Sequence, residues 1–232
     1  MKTYKLVLMR HGESKWNQLN RFTGWHDIDL SENGVQEALQ AAIFLEKKGF
    51  NNFNYAYTSV LKRAIHTLWI IIKYLNKSWI PIKKTWRLNE RHYGALEGKN
   101  KNDIIKKYGN TKVQMWRRSF HVTPPKISHE KKAMLATNPQ YHDIDINILP
   151  RSESLQLTTS RVLPYWHNEI LPCLKKNNSI IVVAHGNSLR ALIKYLSNID
   201  DADIINLDIP TGSPIIYEFD EKLEPTKYYH LK

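Results

Sequence analysis

Two short apolar runs, one near each end of the chain, each finish in a His-Gly pair. Residues 6–9 precede Arg10 and His11, and residues 180–184 precede His185. Continuous aliphatic runs of this kind are typical of strands buried on both faces, as in a parallel sheet. Ligands of such sheets bind beyond the carboxyl ends of the strands, so both histidines are expected in one crevice. Because the glycine after each histidine lets the chain turn and leaves backbone N–H groups to receive an anion, the pattern predicts a phosphate site.

The other helix and strand signals alternate along the chain. They are a helix from the N-cap Ser31 to Gly49, a strand over 55–57, a helix over 61–75, an edge strand over 80–82, a helix over about 154–171 bent at Pro164, a helix over 189–196 and a last strand over 215–219. This order predicts the α/β class, as a three-layer α/β/α sandwich with a mostly parallel sheet. Residues 88–150 show weak helical periodicity apart from 102–108, and predict an inserted segment over the active site of a single domain spanning 1–232.

The composition excludes several classes of protein. Cys173 is the only cysteine, so no internal disulfide can form and a reducing cytoplasm is expected. The most apolar helical segment, residues 68–72, is too short to cross a membrane, and no secretion signal is expected. The formal net charge of +12 is spread as lysine pairs near predicted helix ends and loops, so neither nucleic acid nor a membrane is expected as a partner. Histidines and aspartates follow no established ligand spacing, and no metal is expected.

Four features carry candidate chemistry. His11 is the best nucleophile, because a neutral imidazole can attack a phosphoryl group while the adjacent Arg10 disfavours protonation and binds phosphate oxygens. Arg63 falls in the first turn of its helix, where a cation is unfavourable, so an anion is expected beside it. Residue type alone favours a surface ion pair for Glu90. The two arginines at 117–118 fit a bidentate clamp for an anion and an exposed basic turn equally well.

Seven motifs follow one another in a recognisable order. They are Arg10-His11-Gly12-Glu13-Ser14, Phe22-Thr23-Gly24-Trp25, Thr58-Ser59-Val60-Leu61-Lys62-Arg63-Ala64, Leu88-Asn89-Glu90-Arg91-His92-Tyr93-Gly94, Trp116-Arg117-Arg118, Ala184-His185-Gly186-Asn187-Ser188-Leu189-Arg190 and Ile209-Pro210-Thr211-Gly212. From Leu6 to about Tyr229 the chain resembles the histidine phosphatase superfamily, and within it the cofactor-dependent phosphoglycerate mutases. The resemblance implies a glycolytic and gluconeogenic isomerase that interconverts 2- and 3-phosphoglycerate through a phosphohistidine, primed by 2,3-bisphosphoglycerate.

The resemblance also implies a role for individual residues. His11 is phosphorylated during turnover, and Glu90 exchanges the proton of the substrate hydroxyl, which overrides the ion-pair interpretation. His185 stabilises the transferring phosphoryl group together with Arg10 and Arg63. The implied substrate contacts are Arg10, His11, Gly12, Glu13, Ser14, Lys15, Trp16, Asn17, Thr23, Gly24, Arg63, Glu90, Arg91, His92, Tyr93, Lys101, Arg117, Arg118, Gly186 and Asn187. Relatives of this kind are commonly homodimers or homotetramers, and the same is expected here.

Two alternative functions remain open, and the sequence departs from the pattern of the resembled family at one point. A phosphatase of the same fold would let water attack phosphorylated His11. A basic binding module without catalysis would require a substitution at one of the four central residues, His11, Arg63, Glu90 or His185, and none is seen. Many relatives continue past the last strand with a lysine-rich tail that closes over the site, whereas this sequence ends at Lys232. Weaker retention of the bisphosphate intermediate is therefore expected.

Overall fold

The computed structural model describes residues 3–177 and 179–231. The predicted domain span of 1–232 thus includes four residues outside the described part, namely Met1, Lys2, Asn178 and Lys232. The last of these is the chain end on which the expectation about the missing tail depends.

The centre of the molecule is a six-stranded sheet. Its strands are β1 (Tyr4–Arg10), β2 (Tyr55–Thr58), β3 (Ile82–Lys84), β4 (Ser179–Ala184), β5 (Pro214–Phe219) and β6 (Pro225–His230). They lie in the order β3-β2-β4-β1-β5-β6. The first four strands in this order pair in parallel, whereas β5 pairs antiparallel with β1 and β6 pairs antiparallel with β5. The mostly parallel sheet is confirmed. Because β1 and β4 are direct neighbours with Arg10 opposite Ala184, the histidines that follow the two strands leave the sheet side by side.

Helices cover both faces of the sheet. They are α1 (Lys15–Gln18), α2 (Glu32–Lys47), α3 (Lys62–Tyr74), α4 (Lys101–Tyr108), α5 (Asn110–Arg118), α6 (His129–Ala136), α7 (Leu155–Tyr165), α8 (Leu171–Asn177) and α9 (Gly186–Leu196). Alternate residues of β1 enter different cores: Leu6 and Leu8 pack with α7, α8 and α9, whereas Val7 and Met9 pack with α2 and α3. This alternation produces the predicted three layers. Within the described residues no helix is both long and apolar enough to span a bilayer.

Several boundaries differ from the predictions. The edge strand begins at Ile82 rather than residue 80, after Pro81, which has no N–H to donate to a ladder. The strand over 215–219 is not the last, because β6 pairs with it as a polar, exposed edge strand that carries little hydrophobic periodicity. The single helix predicted over 154–171 is divided into three parts: α7 ends at Tyr165, a π-helical segment covers Trp166–Ile170, and α8 follows from Leu171. The α-helical hydrogen bonding changes here because Pro164 has no backbone N–H to donate.

The segment 88–150 is more regular than its sequence indicates. It carries α4, α5 and α6, although helical periodicity predicts only the first of them. These helices are short, and their apolar side chains form small clusters with loop residues instead of one continuous stripe. One such cluster joins Phe22, Leu96, Ile104, Val113 and Trp116. The segment therefore packs against the loop that follows β1.

Candidate active site

His11 follows β1 and is almost fully buried. Its backbone N–H donates to the carbonyl of Ala184 at 3.0 Å, and its Nδ1 lies 2.6 Å from the carbonyl oxygen of Gly12. Only a protonated Nδ1 can donate to that carbonyl, so the network assigns the lone pair to Nε2. Burial, followed by the charges of Arg63 and Arg10, lowers the pKa of His11 well below its usual range. The structure thus presents a neutral imidazole whose Nε2 carries the lone pair that a nucleophile needs, with Arg63 as its hydrogen-bond donor.

The turn after His11 is held by side chains of α2 and α3. The N–H of Gly12 donates to Thr67 Oγ1 at 3.0 Å, and the N–H of Glu13 donates to Glu37 Oε2 at 2.7 Å. A Cβ atom on Gly12 would lie 2.2 Å from the carbonyl oxygen of Gly34 in α2, so only glycine allows this approach. The prediction that these N–H groups receive an anion is wrong for this turn, because protein oxygens already accept both hydrogen bonds.

His185 follows β4, and its ring packs against that of His11. Its ring meets the His11 ring edge-on, with 4.9 Å between the ring centroids, and its Nε2 is 2.7 Å from the hydroxyl of Ser59. Its backbone N–H donates to Ser188 Oγ at 3.1 Å. Burial, followed by the charge of Arg63, lowers its pKa well below the usual range. Two neutral imidazoles therefore pack together at the base of the site.

Arg63 connects His11 to the loop that follows α1. Its Nη1 donates to His26 O at 2.9 Å and its Nη2 to Gly24 O at 2.8 Å, while its Nε lies 3.3 Å from His11 Nε2. Burial lowers the pKa of Arg63 to about 10, so the guanidinium remains charged at neutral pH. The side chain is 1% exposed, and each of the three guanidinium nitrogens makes one of these contacts.

The anion expected at the start of α3 is Asp27. Its Oδ1 accepts the N–H of Lys62 at 2.7 Å, which satisfies one of the free donors of the first helical turn. Its Oδ2 accepts a hydrogen bond from Gln140 in the inserted segment at 3.0 Å. The expectation of a negative group is confirmed, and the group is a carboxylate of the chain itself.

Glu90 is buried, and the surface ion pair interpretation is wrong. Its Oε1 accepts three hydrogen bonds, from the N–H of Arg91 at 2.7 Å, the N–H of Asn187 at 3.1 Å and Asn187 Nδ2 at 2.8 Å. No described residue donates to Oε2, which faces Gly186 next to the Arg10 guanidinium. One oxygen is therefore occupied as an acceptor, and the other is available to exchange a proton.

A buried ion pair supports the Glu90 loop from behind. Arg161 binds Glu153 at 2.7 Å, and both side chains are less than 10% exposed. Arg161 Nη2 and Trp25 Nε1 both donate to the carbonyl of Glu90, at 3.0 and 2.6 Å. The other carboxylate oxygen of Glu153 accepts the N–H of His92 at 2.8 Å. These bonds fix the backbone that carries the candidate acid/base.

The candidate groups open into a cavity of about 100 Å³. Thirteen of the sequence-predicted site residues line it, namely Arg10, His11, Asn17, Thr23, Gly24, Arg63, Glu90, Tyr93, Lys101, Arg117, Arg118, Gly186 and Asn187. Eight others do not line it, namely Gly12, Glu13, Ser14, Lys15, Trp16, Arg91, His92 and His185. The first five of these belong to the turn after His11 and to α1, and the remaining three support the nucleophile or the Glu90 loop.

Five lining residues were missed, namely Arg21, Phe22, Arg190, Asp208 and Ile209. A signal existed for Arg190, since it follows Asn187 by three residues and therefore shares its face of α9. Seven cationic side chains and two carboxylates line the cavity in total. Buried donors of Arg10 and Thr23, which both line the cavity, also lack partners among the described residues. Unpaired buried donors are costly, so the cavity is built for an anion rich in acceptor oxygens.

No cluster of three or more His, Cys, Asp or Glu side chains suited to a metal ion occurs in the described part of the chain. The charge that faces an anionic ligand is carried by arginine and lysine.

Comparison with protein families and solved structures gives a consistent result. The model of the histidine phosphatase superfamily (branch 1) matches residues 6–229. A protein of Buchnera aphidicola subsp. Baizongia pistaciae, named 2,3-bisphosphoglycerate-dependent phosphoglycerate mutase, is 68% identical over 232 residues and the whole of both chains. A protein of the same name from Blochmanniella pennsylvanica is 57% identical over 98% of each chain.

The similar solved structures are more distant. A mycobacterial glucosyl-3-phosphoglycerate phosphatase superposes with a TM-score of 0.74 at 21% identity, over 98% of this chain and 97% of the other. A putative alpha-ribazole-5'-P phosphatase from Escherichia coli superposes with a TM-score of 0.73 at 20% identity, over 99% of this chain and 96% of the other. At this level of identity the two structures support the fold alone.

Proposed function

The chain belongs to the histidine phosphatase superfamily, and on this premise we propose that it interconverts 2- and 3-phosphoglycerate through a phosphohistidine. The observation that carries the proposal is the geometry of one cationic cavity. It contains the Nε2 lone pair of a neutral His11 and the unoccupied Oε2 of Glu90, so a phosphoryl acceptor and a proton acceptor face the same bound molecule.

His11 Nε2 holds the phosphoryl group between the two halves of the reaction. Arg10 and Arg63 oppose the charge on the phosphoryl oxygens, and the fixed position of Arg63 means that no reorganisation is needed as that charge develops. The proposal assigns His185 to the same charge stabilisation from behind His11. Because arginine donors do this work, the proposal requires no metal ion.

Glu90 handles the proton of the substrate hydroxyl. When that hydroxyl oxygen attacks phosphorus, its proton moves to Glu90 Oε2 and the P–N bond to His11 breaks, which returns the lone pair to the imidazole. The reverse step on the neighbouring phosphate restores the proton and the phosphohistidine. The three hydrogen bonds to Oε1 keep the exchanging oxygen directed at the substrate.

The proposed primer, 2,3-bisphosphoglycerate, supplies the phosphoryl group of His11 when it is bound. The residues present fit this group. Seven cations and the partnerless donors of Arg10 and Thr23 suit a ligand with two phosphates and a carboxylate. Residues that would hold it include Lys101, Arg117 and Arg118.

The decisive experiment is a coupled assay of 3-phosphoglycerate conversion, with and without added 2,3-bisphosphoglycerate and with and without EDTA. We expect mutase turnover that depends on the bisphosphate and is unchanged by EDTA. Release of inorganic phosphate without isomerisation would favour the phosphatase alternative. Incubation with the bisphosphate is expected to leave an acid-labile phosphoryl group on the peptide that contains His11.

The proposal extends to the assembly and location of the chain. It takes residues 1–232 as one catalytic domain with an insertion at 88–150, forming a homodimer or homotetramer in the cytoplasm. Light scattering coupled to size-exclusion chromatography measures the subunit number directly.

A further inference from the structure

Arg190 in α9 joins three separate segments around the cavity. Its side chain is 3% exposed. Its Nη1 donates to Asn187 Oδ1 at 2.9 Å and approaches Arg117 O at 3.4 Å, and its Nη2 donates to Arg118 O at 2.8 Å and Ile204 O at 2.6 Å. One planar guanidinium thus holds α9, the end of α5 and the short 3₁₀ helix over 203–206 in a fixed relation.

The first of these bonds determines how Asn187 faces Glu90. Because the amide oxygen of Asn187 accepts from Arg190, the amide nitrogen is directed at Glu90 Oε1, 2.8 Å away. A rotated amide would place two acceptor oxygens against each other. Arg190 therefore orients one of the three donors to Oε1, the side-chain amide of Asn187, while Oε2 is left for the proton.

The other bonds determine where the arginine clamp lies. The carbonyls of Arg117 and Arg118 stand at the carboxyl end of α5, where backbone acceptors lack helical partners and a cation is favourable. Both side chains line the cavity. The helix α5 belongs to the inserted segment, whereas α9 packs on the central sheet. Arg190 therefore anchors the clamp to α9, the helix that follows His185.

We propose that Arg190 is a positioning residue that orients the Glu90 acid/base through Asn187 and holds the Arg117–Arg118 clamp through the end of α5. The inference rests on the proposed mutase function. It differs from a purely structural role for a buried arginine, because it predicts separate effects on turnover and on anion binding.

The test compares Arg190→Met and Arg190→Lys with wild type. The matched control is Arg151→Gln, since Arg151 also donates to a backbone carbonyl, that of Ile127 at 2.7 Å, but lies outside the cavity. For Arg190→Met we expect a loss in kcat/KM on the order of 10²-fold, divided between a lower kcat and a higher KM, because small displacements of catalytic groups have effects of this size. Arg190→Lys retains the positive charge but not the planar pair of donor nitrogens. We expect its kcat/KM to lie between those of Arg190→Met and wild type. Wild-type kcat and KM in Arg190→Lys would overturn the proposal.

A double-mutant cycle identifies the route through Asn187 even if Arg190→Met fails to fold. In an Asn187→Ala background, Arg190→Lys is expected to leave kcat unchanged while still raising KM, because only the clamp remains to be disturbed. The pH profile of kcat should shift in Arg190→Lys and not in Arg151→Gln. Additive effects on kcat, or an unshifted profile, would show that Arg190 does not act through Asn187.

A binding measurement separates this inference from the proposed function. If wild type shows no mutase activity, the function is wrong, and Arg190 is then tested with orthovanadate, whose binding is followed by tryptophan fluorescence. We expect at least a 10-fold weaker affinity in Arg190→Lys and an unchanged one in Arg151→Gln. Equal vanadate affinity in wild type and Arg190→Lys would overturn the role assigned to the clamp.

Discussion

The Nε atom of Arg63 lies 3.3 Å from Nε2 of His11, with the donor N–H directed at the histidine lone pair. The same guanidinium is bound to the carbonyls of Gly24 and His26. One cation thus adds to the effect of burial in keeping the imidazole neutral, and it faces the atom to which a phosphoryl group would be attached.

We expect Arg63→Gln to raise the pKa of His11, because the charge of Arg63 is the second largest cause of its depression after burial. The rate of phosphoenzyme formation should fall by roughly 10²–10³-fold, and the acid limb of its pH profile should move to higher pH. NMR titration of the imidazole measures the pKa directly. Arg63→Lys is the matched control and should keep the pKa low. An unchanged pKa of His11 in Arg63→Gln would show that the charge of Arg63 does not lower it.

Glu90→Gln tests the proton transfer. The amide oxygen can replace Oε1 as the acceptor of the three hydrogen bonds, so the fold and anion binding should persist, but the amide cannot exchange a proton. Turnover is expected to fall by on the order of 10²–10⁴-fold. The measurement is mutase kcat together with vanadate affinity. Near-normal turnover would remove Glu90 from the mechanism.

Gly12→Ala should destabilise the protein and abolish activity. The new methyl group would lie 2.2 Å from the carbonyl of Gly34, which forces α2 away from the catalytic turn. Gly34→Ala should behave alike, since its Cβ would lie 2.0 Å from Glu13 O. Gly186→Ala is the control for stability, because its nearest neighbour would be 3.6 Å away. Thermal unfolding measures the effect, and equal melting temperatures for the alanine variants would refute the packing argument.

Glu97 gives a pH dependence of stability. Burial raises its pKa to about 8, against hydrogen bonds from Trp25 N and Tyr93 N that lower it. The folded state therefore binds a proton that the unfolded state releases at its ordinary value of 4.5, so this group makes the protein less stable as pH rises from about 4.5 to 8. We expect Glu97→Gln to gain stability over wild type across this window, by at most roughly 1.4 kcal/mol per pH unit.

The control is the exposed Glu130 in α6. Glu130→Gln should show the wild-type dependence of melting temperature on pH. A Glu97→Gln variant that gains nothing between pH 5 and pH 8 would show that the carboxyl is ionised in the folded protein.

Local patterns in the sequence determined the central strands, the long helices and the place of His11 at the end of a buried strand. The aliphatic runs before His11 and His185 predict buried strands because a strand covered on both faces must be apolar at every position. The cap Ser31 marks a helix start because its hydroxyl accepts the backbone N–H of Gly34, three residues later. Such effects act within a few residues and are therefore readable without the fold.

Only the tertiary structure decided which groups face the ligand. The motif order implies that Glu90 is an acid/base, but its free oxygen is defined by Asn187, 97 residues away. Likewise, Asp27 supplies the anion at the start of α3, and Arg190 holds the end of α5. Hydrogen bonds between distant segments depend on how the chain returns through space, and the sequence around either partner carries no periodic signal for them.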